Sequence, residues 1–339
     1  MDKKTFFISK YSPPWIGVPL IENIERSFPN KIIFLTFSLN LLSFIKIQMI
    51  LLRKMKSLDK IIIYNDASIL ILIYPLLKII SLFKEINCYY IFESKWFNKI
   101  GDMISPLISS ILNSGLYKKI FVLDGFLKNY LISKGVDRNK EFIFLSTGIN
   151  FKKFAPSKKE FSKVLLYVGS MHKRRKLSKI IKAFYLCSKK INGLKLIMVG
   201  EGSDKINLES LSKQLGISDK IFFTGNIPPS EVPKRIKGSD ICITFYPPKI
   251  FDIQLPFKTL EYMACKKPVV SIETKANRYY FKDKHEILLT KFSEFDLVEK
   301  IIYLLKNEKD RGKIAINGFK IVKKKFKWGK VMAKLKNEI

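Results

Sequence analysis

One short segment combines a helix start with a lysine and a glutamate on one face. It begins at Pro256, passes through Lys258 and Glu261, and ends in the strand-like Val269-Val270. A helix N-terminus carries unpaired N–H groups and the positive end of the dipole, which suit a phosphate. A carboxylate one turn further accepts hydrogen bonds from sugar hydroxyls. The segment suits a sugar nucleotide, and an ordinary helix with solvated or paired charges fits it equally well.

A second candidate is the basic turn, which we define as residues 172–176, HKRRK. It follows the apolar run Val164–Val168 and Gly169, and we predict that it opens a helix. The dipole disfavours cations at a helix start, and a bound anion would offset that cost. We therefore favour an anion site that includes Arg175 and Lys176 over a solvated loop.

Three further loops follow predicted strands. Gly200-Glu201-Gly202 contains two glycines that let the backbone approach a ligand. In the first half, Gly17 is the one residue of a proline-rich loop whose backbone conformation is unrestricted. Glu93 lies at the end of a central predicted strand. A plain strand–helix connection for Gly17 and a structural cap for Glu93 are equally good interpretations.

Strands and helices alternate along the whole chain, which predicts an α/β fold. The 339 residues favour two domains, and near-continuous apolar strands predict parallel sheets covered on both faces. Predicted strands include 32–36, 87–92 and 164–168, and a single helix is predicted over 311–336. Ligands of such folds bind at the carboxyl ends of the strands.

The net charge of +33 is concentrated in the second half. A positive field attracts nucleotides, nucleic acid or an anionic membrane, although a lysine-rich solvated surface explains most of it. The four cysteines have no metal-ligand spacing, which predicts buried free thiols and a reducing, cytoplasmic compartment. The apolar stretches 32–45 and 61–83 are too short or too interrupted to span a bilayer, so we predict buried elements.

Taken in order, these motifs resemble the glycosyltransferase family 4 type of GT-B enzyme. The residues that carry the resemblance are Tyr167-Val168-Gly169-Ser170-Met171 with Arg175-Lys176, Val199-Gly200-Glu201-Gly202, Phe223-Thr224-Gly225, Pro256-Phe257-Lys258, Glu261-Tyr262-Met263-Ala264 and Lys267-Pro268-Val269-Val270. The resemblance covers nearly the whole chain and is strongest over 164–271.

The resemblance implies a GT-B fold, in which two Rossmann-like domains face a central cleft and a C-terminal helix returns to the first domain. The domains implied are 1–158, 159–320 and the helix 321–339. It also implies transfer of a sugar from a nucleotide donor with retention, without cofactor or metal ion. Gly17 would lie near the sugar and acceptor, and the implied donor-binding residues are Gly169, Arg175, Lys176, Glu201, Lys258 and Glu261, the last on the ribose.

Two of the departures from the family pattern bear on the candidate catalytic residues. Ile253 stands where the family often has a glutamate, so Asp252 or Gln254 becomes a candidate group near the donor sugar. The first half contains no histidine, and Glu93 occupies roughly the region where many members have one. Glu93 and Asp252 are therefore the candidate catalytic residues.

The expected acceptor is a glycan or a lipid-linked sugar. A lysine and aromatic cluster at 323–330 is compatible with peripheral contact at the anionic inner face of a membrane, although the closing helix of a GT-B fold is its first interpretation. Two other functions stay open: a non-catalytic GT-B protein that binds nucleic acid or an anionic surface, and a sugar-nucleotide epimerase. No specific nucleic acid is expected.

Overall fold

A computed structural model describes residues 4–9, 19–28, 32–36, 41–64, 67–92, 103–157, 160–248, 252 and 255–339. Its contacts divide the chain into two units. The first unit is Met1–Gly148 with Trp328–Ile339, and the second is Ile149–Lys327. Each unit contains a six-stranded sheet. The predicted α/β class is confirmed.

The sheet of the first unit has the strand order β2-β1-β3-β4-β5-β6, and its neighbouring strands are parallel. Its strands are β1 Lys4–Ser9, β2 Ile32–Thr36, β3 Leu58–Tyr64, β4 Asn87–Phe92, β5 Tyr117–Val122 and β6 Glu141–Phe144. Its helices are Pro19–Ser27, Leu41–Arg53, Ala67–Phe83, Ser105–Asn113, Gly125–Ser133 and Trp328–Glu338, with a 3-10 turn at Met55–Ser57.

The sheet of the second unit has the order β12-β11-β10-β7-β8-β9 and is also parallel. Its strands are β7 Val164–Val168, β8 Lys195–Val199, β9 Ile221–Gly225, β10 Ile241–Thr244, β11 Val269–Ile272 and β12 Leu288–Thr290. Its helices are Ser178–Ser188, Lys205–Gln214, Val232–Lys237, Phe257–Ala264, Lys275–Tyr280, Glu294–Lys306 and Glu308–Lys325, with 3-10 turns at Lys173–Arg175 and Ser218–Lys220.

The strands at the centre of each sheet are apolar because helices cover them on both faces. Every residue of β7 and of β10 is buried, as the near-continuous apolar runs predict. All four cysteines are free and buried, so the prediction of buried thiols is confirmed. Among the described residues, no helix is both long and apolar enough to cross a membrane.

The single closing helix predicted over 311–336 is wrong. The chain leaves helical geometry at Phe326 and begins a new helix at Trp328. The two aromatic side chains pack in different units, Phe326 in a core cluster of the second and Trp328 in one of the first. The carbonyl of Phe326 accepts a hydrogen bond from the Ile149 N–H at 2.7 Å. The break therefore lies where the chain passes from the second unit to the first.

Candidate nucleotide site

Two loops at the carboxyl edge of the second sheet are joined by backbone hydrogen bonds. The loop after β7 donates from the Gly169 N–H to Val199 O at 3.0 Å and from the Met171 N–H to Glu201 O at 2.7 Å. The loop after β8 donates from the Gly200 N–H to Gly225 O at 2.9 Å. The ladder of β7, β8 and β9 thus continues into the loops and holds their backbones in place.

Glycine is required where these loops approach each other. Gly200 has φ +131°, and a Cβ there would meet the carbonyl group of Gly169. Gly202 has φ +155°, and its Cβ would lie 2.5 Å from Met171 O. Since L-residues rarely adopt such φ values, a side chain at either position would meet both strain and a clash. The sequence GEG at 200–202 is therefore a consequence of the loop packing.

The loops surround an open pocket of about 460 Å³. Its lining combines apolar side chains with loop backbone and a few polar groups: Val168, Gly169, Ser170, His172, Val199, Gly200, Glu201, Gly202, Asn226, Ile227 and Val232. All of these residues belong to the second unit. A concave site at the carboxyl ends of parallel strands is the usual place for a ligand in such a sheet.

The basic turn lies beside this pocket but differs from its prediction. Residues Lys173–Arg175 form a 3-10 turn, Lys176 adopts left-handed geometry with φ 54°, and the α-helix begins only at Ser178. The lysines and arginines are therefore outside the first turn of the helix, and the expected conflict with the helix dipole does not arise. His172 alone of this turn lines the pocket.

Arg175 acts electrostatically on two tyrosines near strand ends. Burial raises the pKa of Tyr167, in β7, to about 12, and the guanidinium of Arg175 opposes that shift. Burial likewise raises the pKa of Tyr246, which follows β10, and Arg175 again opposes it. A positive charge therefore lies within electrostatic reach of both phenols at the carboxyl edge of the sheet.

The predicted pair on the helix Phe257–Ala264 forms an ion pair. Lys258 Nζ donates to Glu261 Oε2 at 2.6 Å, and the Glu261 side chain is only 16 % exposed. The sequence had left open whether these two charges are paired, solvated or bound to a ligand, and the structure shows them paired. A carboxylate has further acceptor sites, so the pair leaves Glu261 able to accept a sugar hydroxyl.

The next residue of that helix anchors it to the pocket. Tyr262 is fully buried, and its Oη accepts a hydrogen bond from the N–H of Val168 at 2.9 Å. Val168 ends β7 and lines the pocket. The helix that carries Lys258 and Glu261 is therefore fixed against the strand that forms the pocket wall.

A buried hydroxyl network fixes the other side of the same helix. Thr244 Oγ1 donates to Ser271 Oγ at 2.7 Å and lies 3.2 Å from Thr259 Oγ1. Asn277 Nδ2 donates to the same serine hydroxyl at 2.9 Å. Because buried polar groups need partners, this network specifies how β10, β11 and two helices pack together.

The other predicted residues have separate surroundings. Glu201 lines the pocket and accepts a hydrogen bond from Lys205 at 2.5 Å. Asp252 accepts from the N–H of Lys275 at 3.0 Å and lies 3.2 Å from its Nζ. It thus caps the helix Lys275–Tyr280, and its catalytic assignment stays a prediction.

Four residues singled out in the sequence, Gly17, Glu93, Ile253 and Gln254, lie outside the described residues. The structure therefore describes the second-unit candidates alone. It brings Gly169 and Glu201 together in the pocket lining, while Arg175, Lys176, Lys258 and Glu261 are outside that lining.

Three lining residues were not predicted: Asn226, Ile227 and Val232. They follow β9, which is the neighbour of β8 in the sheet. The sequence predicts no more than a turn at Gly225, which ends β9. In the structure Gly225 has φ +69°, and a Cβ there would lie 2.9 Å from Glu201 Oε1. This glycine at the end of a third neighbouring strand was the signal from which this side of the pocket could have been found.

Solved structures show which fold this is. The Anabaena protein HepE in complex with UDP-glucose superposes with a TM-score of 0.79 at 14% identity, covering 99% of this chain and 100% of that chain. The likeness shows that this chain has the GT-B fold, as the sequence predicted.

The chain belongs to the family described as glycosyl transferases group 1, whose model matches residues 149–321. An uncharacterized glycosyltransferase of Methanocaldococcus jannaschii is 26% identical over 259 residues, 72% of this chain and 63% of that protein. The N-acetyl-alpha-D-glucosaminyl L-malate synthase of Bacillus anthracis is 25% identical over 146 residues, 41% of this chain and 36% of the synthase. The matches thus span less than two thirds of these relatives' length. The resemblance inferred from the sequence is confirmed.

Proposed function

We propose that this chain transfers a hexose-type sugar from a nucleotide-sugar donor to a glycan or lipid-linked acceptor, with retention of anomeric configuration. The observation that carries the proposal is the pocket of glycine-lined loops at the carboxyl ends of β7, β8 and β9. Membership of the group 1 family supports the reaction class. The UDP-glucose bound to HepE supports a nucleotide sugar as the donor.

The chemistry needs a stabilised leaving group. When the bond from the anomeric carbon to the diphosphate oxygen breaks, negative charge grows on the diphosphate. The acceptor hydroxyl oxygen forms the new bond to the anomeric carbon, and its proton passes to the departing diphosphate oxygen. Fixed cations and backbone N–H groups stabilise that charge. In this proposal Arg175 and Lys176 act on the diphosphate with Gly169, Lys258 adds supporting charge, and no metal ion takes part.

Glu261 is proposed to hold the ribose of the donor. Its side chain is largely buried, and its helix is tied through Tyr262 to the pocket wall. A hydrogen bond to a charged group contributes about 1.5–3 kcal/mol, which corresponds to roughly tenfold or more in affinity. Glu201, in the pocket lining, is the second carboxylate available to the donor.

The test is a screen of nucleotide sugars with the full chain, read as nucleoside diphosphate release and as the anomeric configuration of the product by NMR. We expect Glu261→Gln to weaken donor binding about tenfold. The matched control is Glu294→Gln, because Glu294 pairs with Lys179 at 2.5 Å with similar exposure outside the pocket. Folded protein that binds no nucleoside diphosphate or nucleotide sugar would overturn the proposal, and an epimerised donor sugar as the product would replace it.

A further inference from the structure

Three neighbouring helices of the first unit expose large apolar side chains. The helix Leu41–Arg53 buries Ile47 and Leu51, yet exposes a stripe at every third or fourth position: Leu42, Ile45, Met49 and Leu52. The helix Ala67–Phe83 also buries one side, and it exposes Leu72, Ile79, Leu82 and Phe83, of which the last two are 75% and 76% exposed. Met103, just before the helix Ser105–Asn113, and Leu107, within it, add two more exposed apolar side chains.

These rows form one surface. Gln48 Nε2 donates to Leu72 O at 3.3 Å, and Lys84 Nζ donates to Lys56 O at 3.1 Å, so the first two helices run side by side. The helix Ser105–Asn113 packs against Ala67–Phe83. The connections from β2 to β3, β4 and β5 all advance in one direction across the sheet, and right-handed crossovers therefore put these helices on the same face.

The charge on this surface has one sign. Segments 41–57, 67–84 and 103–119 contain no aspartate or glutamate; Asp59, Asp66, Glu85 and Asp102 lie beyond their ends. The exposed basic side chains of the first two helices and the turn after Leu41–Arg53 are Lys46, Arg53, Lys54, Lys56 and Lys78. We call this surface, the ten exposed apolar residues with their five basic neighbours, the acid-free face.

From this pattern we infer that the acid-free face docks on the surface of an anionic lipid bilayer. Apolar side chains would enter the boundary between headgroups and acyl chains, while lysine and arginine reach the phosphates. Large exposed apolar patches next to charged residues mark sites where proteins contact a partner or a membrane. A second copy is disfavoured, because a symmetric contact would bring the same basic residues face to face.

This inference deepens the proposed function, since it would place the transferase beside a lipid-linked acceptor. It concerns a different surface from the predicted lysine and aromatic cluster at 323–330. In that cluster Phe326 and Trp328 are buried in the two units, so they are not available to a membrane. None of the described helices of the acid-free face is both long and apolar enough to cross a bilayer, and each buries its opposite side in the first unit.

The test is co-sedimentation of the full chain with vesicles of phosphatidylcholine alone or mixed with phosphatidylglycerol. We expect binding to the mixed vesicles that weakens with salt. The double variant Leu82→Glu with Phe83→Glu should lower it about tenfold or more, because two large apolar side chains leave the boundary. Leu42→Glu with Met49→Glu on the neighbouring helix should act alike, and either variant suffices if the other fails to fold by circular dichroism.

The matched control is Ile206→Glu with Phe295→Glu. These side chains are 77% and 70% exposed in the second unit, so the control makes the same change of net charge elsewhere. It should keep vesicle binding. Equal loss in both double variants would mean that binding follows net charge alone, and would overturn the inference.

Two other results would also overturn it: absence of binding to the mixed vesicles, or a dimer in analytical ultracentrifugation that Leu82→Glu with Phe83→Glu dissociates. Failure of the proposed function would look different. In that case the wild-type chain would bind vesicles but no nucleotide. If both hold, the Leu82 and Phe83 variant keeps nucleotide binding and loses vesicle binding.

Discussion

Replacing Gly200 with alanine tests the packing of the two pocket loops. Gly200 has φ +131°, and a Cβ there would lie 2.9 Å from the carbonyl carbon of Gly169 and closer still to its oxygen. The conformation alone costs about 1–3 kcal/mol for a residue with a side chain. The clash adds about 1–3 kcal/mol, because the neighbour is backbone and must move. We therefore expect Gly200→Ala to destabilise the second unit by about 2–6 kcal/mol.

The control for this change is Gly193→Ala. Gly193 also has positive φ, +73°, but no other side chain or backbone atom lies within 4 Å of the place that its Cβ would take. Its expected cost is the left-handed conformation alone, about 1–2 kcal/mol. The difference between the two variants therefore reports the close approach of the loops together with the less favourable φ of Gly200.

The assay is thermal unfolding of the full chain by far-UV circular dichroism, with and without UDP. For a unit of this size, each kcal/mol lowers the Tm by about 2–4 °C. Gly200→Ala should melt well below Gly193→Ala and should lose any stabilisation by the nucleotide, since the Gly169 loop is displaced. Equal melting temperatures for the two variants would refute the loop packing described here.

Three further predictions concern residues around and beyond the pocket. Tyr262→Phe removes the buried acceptor of the Val168 N–H and should lower the free energy of unfolding, measured by chemical denaturation, by about 1–3 kcal/mol. Tyr303→Phe, at the surface, should change it little, and equal effects of the two variants would contradict the role of this hydrogen bond. Lys179 holds the pKa of Glu294 below its usual 4.5, so the ion pair stabilises the fold above pH 4.5 and this stabilisation is lost as the pH falls through the lowered pKa. The Tm values of wild type and Glu294→Gln should therefore converge in acid. A Tm difference that does not change with pH would argue against the pair. Burial raises the pKa of all four thiols to about 12. The native protein should therefore react slowly with Ellman's reagent, and the unfolded protein should react at all four cysteines. Rapid labelling of the native protein would contradict the burial of these thiols.

The strands could be predicted closely because burial leaves a simple pattern. Apolar runs at Ile32–Thr36, Asn87–Phe92 and Val164–Val168 have the predicted bounds. Short elements were missed, including the helix Ser105–Asn113 and the strand Leu288–Thr290. A three-residue strand is too brief to show a period, and serines interrupt the apolar pattern of that helix.

The closing helix was mispredicted because Gly329 is the one weak helix signal between two lysine-rich helical stretches and was not taken as a break. Lysine and apolar residues run from the helix Glu308–Lys325 into Trp328–Glu338 without a proline. The break at Phe326 comes from tertiary packing, since Phe326 and Trp328 enter cores of different units. Helix propensity, which is a property of local sequence, does not predict a break that tertiary packing causes.

The pocket lining was predictable from the sequence where backbone loops form it. Gly169 and Glu201 were singled out because strand ends and glycines mark them, and both line the pocket, while their donor-binding role stays a prediction. Asn226 and Val232 were missed because they line the pocket only when β9 lies next to β8, and the strand order cannot be predicted from local sequence. The pairing of Lys258 with Glu261 depended on side-chain rotamers, which spacing alone leaves open.

Hydrogen exchange of the full chain with and without UDP tests the proposed nucleotide site most directly. If the pocket binds the nucleotide, exchange should slow in the two joined loops, 168–172 and 199–205, and in 225–232 after β9. The acid-free face, at 41–57 and 67–84, should exchange as before. Unchanged exchange in all of these segments at saturating UDP, or protection elsewhere alone, would contradict the placement of a nucleotide at this edge of the sheet.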